Sequence, residues 1–478
     1  MSLEMYLTFL ALVVAVYSIL TQTQKSALAI FFPSRCFVVV MIFSFLVSFM
    51  PYLFIFWGYT LCFKWKHLIE LIAFIPPFGI VVYGIVFYFR ARLGPGNFEE
   101  FNDFVKASLR ENSFDELNRI VSRNKTRISD LSKKTLLLMY DSRIVSNFLR
   151  ADTWFPLELL GDEKMLESLG QQLHIPVDTT VREMFKLESS PLHEAVFNSF
   201  GGKERIWYSH ESKKLNELTF QNPEWYTKTS ADYTLLIVAC EAINSGRLDE
   251  IYNHNGRSYE WRQGKSSRAN CPIWLSLKTQ VLAIQEGIAK NSKPNYCVSN
   301  LADLFHVILP HSKYDPMVWK DEMANPEFPT PYAYLLYEIC SDYNMLSRDC
   351  ICKSHSGINR SLGVNADDLA QSWTRCIEYI SKQYNKNVGQ DFQEQIVRQY
   401  LEFILQLKFA SYEILPDRKT QGFTDEATLF LNKLKFKLKM SDYLRNVIMK
   451  VADTIDYTHY NHQEGKDWLL ASISAKAS

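Results

Sequence analysis

The first ninety residues contain only seven charged side chains, and these divide the segment into three apolar stretches. We place one predicted helix in each stretch, at about 5–22, 36–60 and 69–89. A helix needs about 20 mainly apolar residues to cross the roughly 30 Å hydrocarbon core of a bilayer. We therefore predict a membrane anchor of three transmembrane helices over residues 1–92, followed by roughly 390 residues of polar, globular chain.

Basic residues beside the spans predict the orientation of the anchor. Cytoplasmic loops carry an excess of Lys and Arg. If the large C-terminal domain is cytoplasmic, two flanking basic residues, Lys64 and Lys66, face outward, and four face the cytoplasm: Lys25, Arg35, Arg90 and Arg92. The nine cysteines, an odd number without a framework spacing, fit a reducing compartment. We predict a multi-pass protein of the cell membrane with a cytoplasmic C-terminal domain.

A cleaved signal peptide is the alternative for the first span. Ala27-Leu-Ala29 has the small-x-small form of a cleavage site. However, no Lys or Arg precedes the first span, and apolar residues 30–32 follow the site directly. Both features favour retention of the span.

The centres of the three spans carry no Asp, Glu, Lys, Arg or His. Proton relays, ion pathways and voltage sensors use such residues. Pro51 and the pair Pro76-Pro77 predict kinks in the second and third helices. The pattern argues against a self-contained transporter and favours an anchor, with an oligomeric pore left open.

Beyond residue 92 the apolar residues recur mainly at helical spacing. Asn97 with Glu100, and Ser113 with Glu116, match the capping-box pattern that begins helices. We predict an irregular all-α domain with lobes at 93–290 and 291–478. The alternating lysines of 433–439 also fit an edge strand, so a small β element is the alternative there.

The charge balance argues against general nucleic-acid binding. Beyond residue 90, 47 Lys and Arg residues stand against 50 Asp and Glu residues, which provides no broad basic surface for phosphates. The one concentrated basic patch consists of Lys433, Lys435, Lys437 and Lys439. We interpret this patch as a surface for anionic lipid or an acidic partner, with a solvated helix face as the alternative.

One short segment concentrates metal-ligand residue types. Cys350, Cys352 and His355 lie within six residues, but no second ligand pair stands nearby. Structural zinc sites commonly use four Cys or His ligands in two close pairs. These three residues are therefore weak metal candidates, and we predict neither a metal nor a cofactor.

The same segment resembles the motif of HEPN-superfamily ribonucleases, in which an Arg and a polar residue precede a His by a few positions. Arg348, Asp349 and His355 match that pattern, and the segment 205–210 matches its looser form. The resemblance implies that His355 acts as general acid or base on RNA. It also implies that Arg348 stabilises the charge of the transition state.

Taken together, these features predict a membrane-anchored helical protein that binds a partner protein or ligand. We expect it to act as a scaffold, sensor or membrane effector and to form homo-oligomers in the lipid bilayer. The layout resembles that of membrane effectors in bacterial defence systems. The alternative function is a membrane-tethered ribonuclease of the HEPN type that uses Arg348 and His355.

Overall fold

The computed structural model describes 22–31, 92–151, 155–186, 217–219, 221–245, 271–311, 331–355, 363–383, 390–410, 423–438, 442–460, 463–474 and the single positions 8, 11, 15, 18–21, 39, 42, 46, 49 and 196. The chain divides into two compact units, Met1–Glu183 and Met184–Ser478. The described residues form α-helices and short 3₁₀ turns, with no β-strand among them. This confirms the mainly α class.

Nine helices within the described ranges begin in the first unit. They are α1 (Gln22–Phe31), α2 (Phe98–Glu111), α3 (Asp115–Arg123), α4 (Lys125–Ile128), α5 (Lys133–Met139), α6 (Ser142–Arg150), α7 (Phe155–Leu160), α8 (Glu163–Leu169) and α9 (His174–Lys186). Helix α2 lies at the centre of this packing, because α1 and α5 both contact it. Its inner face buries Phe101, Phe104 and Val105 completely.

The start of α2 corrects one sequence prediction. Asn97 precedes the helix, but its side chain makes no capping bond to it. Instead its Oδ1 accepts a hydrogen bond from the Gly94 N–H at 2.8 Å, and its Nδ2 donates to the Arg92 carbonyl at 3.2 Å. The second predicted capping box is also wrong, because Phe114 is the residue that precedes α3. The side chain of Asn97 therefore bonds to the segment before α2, and the backbone N–H of Ser113 bonds to the Ser108 carbonyl at the end of α2, at 3.1 Å.

The second unit is an irregular bundle of longer helices. They are α10 (Pro223–Thr229), α11 (Ala231–Asn244), α12 (Pro272–Lys290), α13 (Cys297–Ile308), α14 (Pro331–Ser354), α15 (Ala366–Gln383), α16 (Gln390–Phe409), α17 (Thr424–Leu438), α18 (Asp442–Thr454) and α19 (Gln463–Ser474). The lysine-rich segment belongs to α17, so the edge-strand alternative is wrong for residues 433–438.

An aromatic cluster around Trp373 forms the core of the second unit. Its ring centroid lies 4.9 Å from that of Tyr400, 5.3 Å from that of Phe403 and 6.4 Å from that of Phe430. Tyr343 stacks on the same indole at 6.2 Å. All five side chains are buried. Large aromatic side chains in tilted and edge-to-face contacts contribute most of the apolar burial in such a core.

Helix α12 ends where the sequence predicted a division between lobes. The predicted boundary at residue 290 lies inside the second unit, because α12 packs against α11, α13 and α14.

Near the C-terminal end of α12 the chain turns back closely on Gly287. A Cβ placed there would lie 2.7 Å from the Ser292 carbonyl oxygen and 2.9 Å from Pro294 Cδ. Glycine is therefore the residue that this close approach requires.

The anchor predictions fall largely outside the described residues. The span at 69–89 lies entirely outside them, and those at 5–22 and 36–60 are represented by scattered positions. Within the described part of the chain, no helix is both long enough and apolar enough to cross a bilayer.

Candidate functional site

Arg348 and His355 lie two turns apart near the C-terminal end of α14. The helix continues to Ser354, and His355 occupies the turn that follows it. The Arg348 Nη2 donates to Gln406 Oε1 of α16 at 2.5 Å, while Nε is buried without a hydrogen-bond partner in the described structure. Arg348 is therefore partly buried against α16. In the ribonuclease interpretation, this side chain stabilises the charge of the transition state.

The His355 ring is directed toward a different helix, α17. Its Nε2 lies 2.6 Å from Glu426 Oε1, and its ring centroid lies 4.8 Å from that of Phe423. The ring is about one-quarter exposed, so it is neither a loop tip nor a core residue. Asp349, the polar residue of the motif, is exposed, and partial desolvation of its carboxyl raises its pKa. The neighbour of the histidine is thus a carboxylate, whereas Arg348 contacts an amide.

The cysteine candidates point in different directions because both lie on α14. Positions i and i+2 on a helix are about 200° apart around the axis and do not share a face. Cys350 is buried, with its Sγ 3.6 Å from the Val364 carbonyl oxygen. Cys352 is half-buried, and burial raises the pKa of its thiol. Among the described residues, no group of three or more His, Cys, Asp or Glu side chains is arranged to hold a metal ion.

The helical geometry of α17 also divides the predicted lysine patch. Lys433 and Lys437 lie one turn apart and face α15, where they form ion pairs with Asp367 at 2.7 Å and Glu378 at 2.5 Å. Lys435 is half-exposed, and Lys439 lies outside the described residues. Two of the four lysines therefore hold two helices together, and their use as a lipid or partner surface stays a prediction.

A buried ionic cluster joins α12 to α14, and it was not among the predicted sites. The Lys278 Nζ lies 2.7 Å from both carboxylate oxygens of Asp342 and 2.6 Å from Glu338 Oε2. Burial raises the pKa of Asp342 to about 6, since the enclosed carboxylate loses its hydration. The signal in the sequence is that Lys278 is the one charge in the apolar run 272–285. A lone lysine in such a run predicts a buried partner.

Helix α1 is the feature that connects the predicted anchor to the first unit. A capping box starts it: the Gln24 N–H donates to Thr21 Oγ1 at 3.2 Å, and the Thr21 N–H donates to Gln24 Oε1 at 3.1 Å. Thr23, Ala27 and Ile30 are then buried at helical spacing. Because α1 contacts α2 and α3, the segment between the first two predicted spans is part of the folded domain.

The segment that follows the third predicted span is also held by the domain. The buried Leu93 N–H donates to Asn124 Oδ1 at 2.7 Å, and Asn124 Nδ2 donates to the Ile120 carbonyl at 2.8 Å. Asn124 lies at the junction of α3 and α4, beside the basic residues Arg123 and Lys125. The first unit therefore begins within a few residues of the predicted end of the anchor.

Apolar side chains are exposed at the described positions of the second predicted span. Val39, Ile42, Leu46 and Phe49 are helical, with exposed fractions of 64%, 55%, 57% and 38%. Their spacing of three, four and three residues places them along one helical face. An exposed row of large apolar side chains is typical of a surface that contacts lipid or another protein.

Two exposed tyrosines form a candidate partner surface on the second unit. Tyr233 is 63% exposed and Tyr296 is 67% exposed. Their backbones are held together by buried Asp232, whose Oδ2 accepts from the Tyr296 N–H at 3.3 Å and whose Oδ1 accepts from Asn295 Nδ2 at 3.0 Å. Burial raises the pKa of Asp232, and these hydrogen bonds oppose that effect. The carboxylate thus fixes the backbone from which both phenol rings project.

No protein-family model, curated protein sequence or solved structure matches this chain.

Proposed function

We propose that this protein is a membrane-anchored helical protein whose first unit is fixed to the cytoplasmic face of the bilayer and whose second unit binds a partner protein. The three N-terminal spans tether the chain and support homo-oligomers. In this proposal the protein acts as a scaffold, sensor or membrane effector.

The contact between α1 and α2 carries the proposal. Two predicted spans, 36–60 and 69–89, separate these helices in sequence. An even number of crossings returns the chain to the side from which it started, so both helices lie on one side of the bilayer. Their packing against each other satisfies that requirement. An odd number of spans between them would make the contact impossible.

The same contact supports retention of the first span in this proposal. Ala27 is completely buried in the first unit, and the capping box at Thr21 precedes it. Cleavage after Ala29 would remove these residues from the packed domain. The fold of α1 therefore favours three spans over a signal peptide with two spans.

Lipid is the partner that suits the exposed apolar face of residues 39–49. These residues belong to the uncharged run from Cys36 to Phe63, which is long enough to cross the hydrocarbon core as a helix. Exposed Val, Ile, Leu and Phe side chains are favourable in that environment, because lipid chains remove them from water.

The partner surface on the second unit is assigned to Tyr233 and Tyr296. Exposed tyrosines on a rigid backbone contribute large contact area at low entropic cost, and tyrosine is enriched among the residues that dominate binding energy. The ribonuclease alternative has less support, because His355 faces Glu426 and Arg348 contacts Gln406. A ribonuclease site requires a positive, open cleft shared by the two side chains.

A topology experiment on the full-length chain tests the proposal. One epitope is inserted after Ser34, one after Lys66 and one after Gly96, each in a separate full-length chain. We expect antibodies to reach the Lys66 epitope in intact cells, and the other two only after the membrane is permeabilised. We also expect the chain to resist extraction at alkaline pH. Epitopes after Ser34 and Gly96 on opposite faces, or release of the chain, would overturn the proposal.

A further inference from the structure

A groove in the first unit combines basic side chains with apolar ones. It has a volume of about 520 Å³ and is lined by Lys133, Lys134, Leu137, Leu138 and Gln172. The first four residues belong to α5, and Gln172 belongs to the 3₁₀ turn Gly170–Leu173. We propose that this groove binds an anionic membrane lipid, with the headgroup phosphate on the lysines and the upper acyl chain on the leucines.

The spacing on α5 arranges the two kinds of side chain in pairs. Lys133 and Leu137 are four residues apart, as are Lys134 and Leu138, so each lysine lies one turn before a leucine on the same face. The lysines are exposed and the leucines are half-exposed. A lysine places its methylene stem along apolar surface while its ammonium group reaches an anion. An amphiphile with a negative headgroup has the matching distribution of charge and apolar surface.

The lysines are available for such a ligand. Neither Lys133 nor Lys134 forms an ion pair or a side-chain hydrogen bond with another residue of the described ranges. The nearby carboxylate of Asp130 pairs with Lys164 at 3.2 Å. The segment 123–134 carries five basic residues and one acidic residue. Lys125 of this segment pairs with Glu158 at 2.7 Å, so the charge that is complementary to an anionic bilayer surface comes from the exposed Arg127, Lys133 and Lys134.

The helix that carries the groove, α5, contacts α2, the first α-helix after the third predicted span. The Thr135 Oγ1 of α5 donates to Asn102 Oδ1 at 3.2 Å, and Asn102 lies in the second turn of α2. The residues before α2 are held at Leu93 by Asn124. This proximity favours lipid over a soluble phosphate compound or a peptide as the occupant. The inference therefore rests on the proposed membrane anchor.

Acylation of individual lysines tests the inference. The full-length protein is placed in nanodiscs of phosphatidylcholine alone or of phosphatidylcholine with phosphatidylglycerol, and an amine-reactive reagent is added. The acylation rates of Lys133, Lys134 and the exposed control Lys164 are measured by mass spectrometry. We expect acylation of Lys133 and Lys134 to be about fivefold slower in the anionic discs, with Lys164 unchanged. The protection is expected to disappear at about 1 M salt, where charge interactions are screened within roughly 3 Å.

A second measurement does not depend on lysine chemistry. We expect hydrogen exchange across residues 133–139 to be slower in the anionic discs. The double variant Lys133→Gln/Lys134→Gln should lose this difference, and the control variant Lys164→Gln should keep it. Inorganic phosphate added to the phosphatidylcholine discs should not reproduce the protection.

The outcomes separate this inference from the proposed function. Failure of the chain to enter the discs would overturn the membrane anchor and the lipid site together. Stable incorporation with equal acylation in both lipids would overturn the lipid site alone. Protection by inorganic phosphate equal to that of the anionic lipid would also overturn it, in favour of a soluble phosphate ligand.

Discussion

Thr23 donates its backbone N–H to the Glu111 carboxylate at 2.9 Å, and its hydroxyl group donates to the same oxygen. The contact joins the first turn of α1 to the last residue of α2. It therefore connects the segment between the first two predicted spans to the folded domain. The hydrogen bonds from Thr23 lower the pKa of Glu111 below its ordinary value of 4.5.

We expect Glu111→Ala to loosen α1. Charge-assisted hydrogen bonds are the stronger kind, and the buried Thr23 would lose its acceptor. Hydrogen exchange across residues 24–31 of the full-length protein should become about tenfold faster. The exposed control Glu167→Ala should leave that exchange unchanged. Because the folded pKa is depressed, the contact stabilises above pH 4.5 and is lost as pH falls through the lowered pKa. Equal exchange in both variants would contradict this role.

We expect Tyr233→Ala and Tyr296→Ala to weaken partner binding. Tyrosines that dominate an interface typically lose about 2 kcal/mol or more on truncation, a decrease in affinity of roughly 30-fold. The measurement is recovery of the copurified partner from detergent, compared between each variant and the native chain. Phe436→Ala provides the control, because Phe436 is 60% exposed on a different helix. A further variant combines Tyr233→Ala with Tyr296→Ala. Unchanged recovery of the partner with this double variant would exclude the surface.

The ribonuclease alternative makes a separate prediction about His355→Ala. If His355 and Arg348 cut RNA, either alanine variant should abolish cleavage by the purified full-length chain while its thermal unfolding stays cooperative. The partner-binding proposal instead expects no His355-dependent cleavage. It expects only about 1 kcal/mol of destabilisation from the lost contact with Glu426. His306→Ala, an exposed histidine stacked on Tyr379, controls for non-specific effects.

We expect Lys278→Met to destabilise the second unit by about 3–5 kcal/mol, because it leaves the buried Asp342 and the partly buried Glu338 without their cation. Denaturant unfolding followed by tryptophan fluorescence measures this change. The control Lys290→Met removes a lysine whose side chain is 52% exposed and whose pair with Glu286 lies at the surface. Its expected cost is below about 1 kcal/mol. Similar losses in both variants would show that the buried cluster has no special role.

The raised pKa of Asp342 predicts how the free energy of unfolding depends on pH. Its pKa rises from 3.8 to about 6 on folding, so the native state holds this proton more tightly than the unfolded state does. The resulting stabilisation is complete below pH 3.8 and is lost as pH rises through about 6. The free energy of unfolding should therefore fall across this window more steeply in the native chain than in Asp342→Asn. The exposed control Asp425→Asn should keep the native slope; an identical slope in all three proteins would contradict the assignment.

The helical class was predictable because it depends on local spacing. Apolar positions recur at helical intervals throughout α2, α14 and α17, and that pattern needs no distant partner to be recognised. The ends of helices were predicted less well. Asn97 matched a capping box, yet its side chain bonds to the residues before it. Thr21 and Gln24 match the same pattern and do form a capping box, which was not predicted.

Site predictions failed to anticipate the partners that come from distant helices. A spacing of seven residues places Arg348 two turns before His355, which directly follows α14, but it does not supply Gln406 or Glu426. The alternating lysines suggested one continuous basic surface. The acidic residues of α15 that neutralise Lys433 and Lys437 lie about 60 positions earlier in the chain. Spacing alone carries no information about such long-range pairs.

The sequence by itself determined the helical class, the low charge of the first ninety residues and the near balance of acidic and basic residues in the rest. These are properties of composition and local period, which act over a few residues. Only the tertiary structure decided that α1 packs on α2, that Lys278 meets the carboxylates of Glu338 and Asp342, and that Lys133 and Leu137 share a groove. Each of these depends on segments brought together by burial of apolar surface, a driving force that is non-directional and leaves no fixed spacing in the chain.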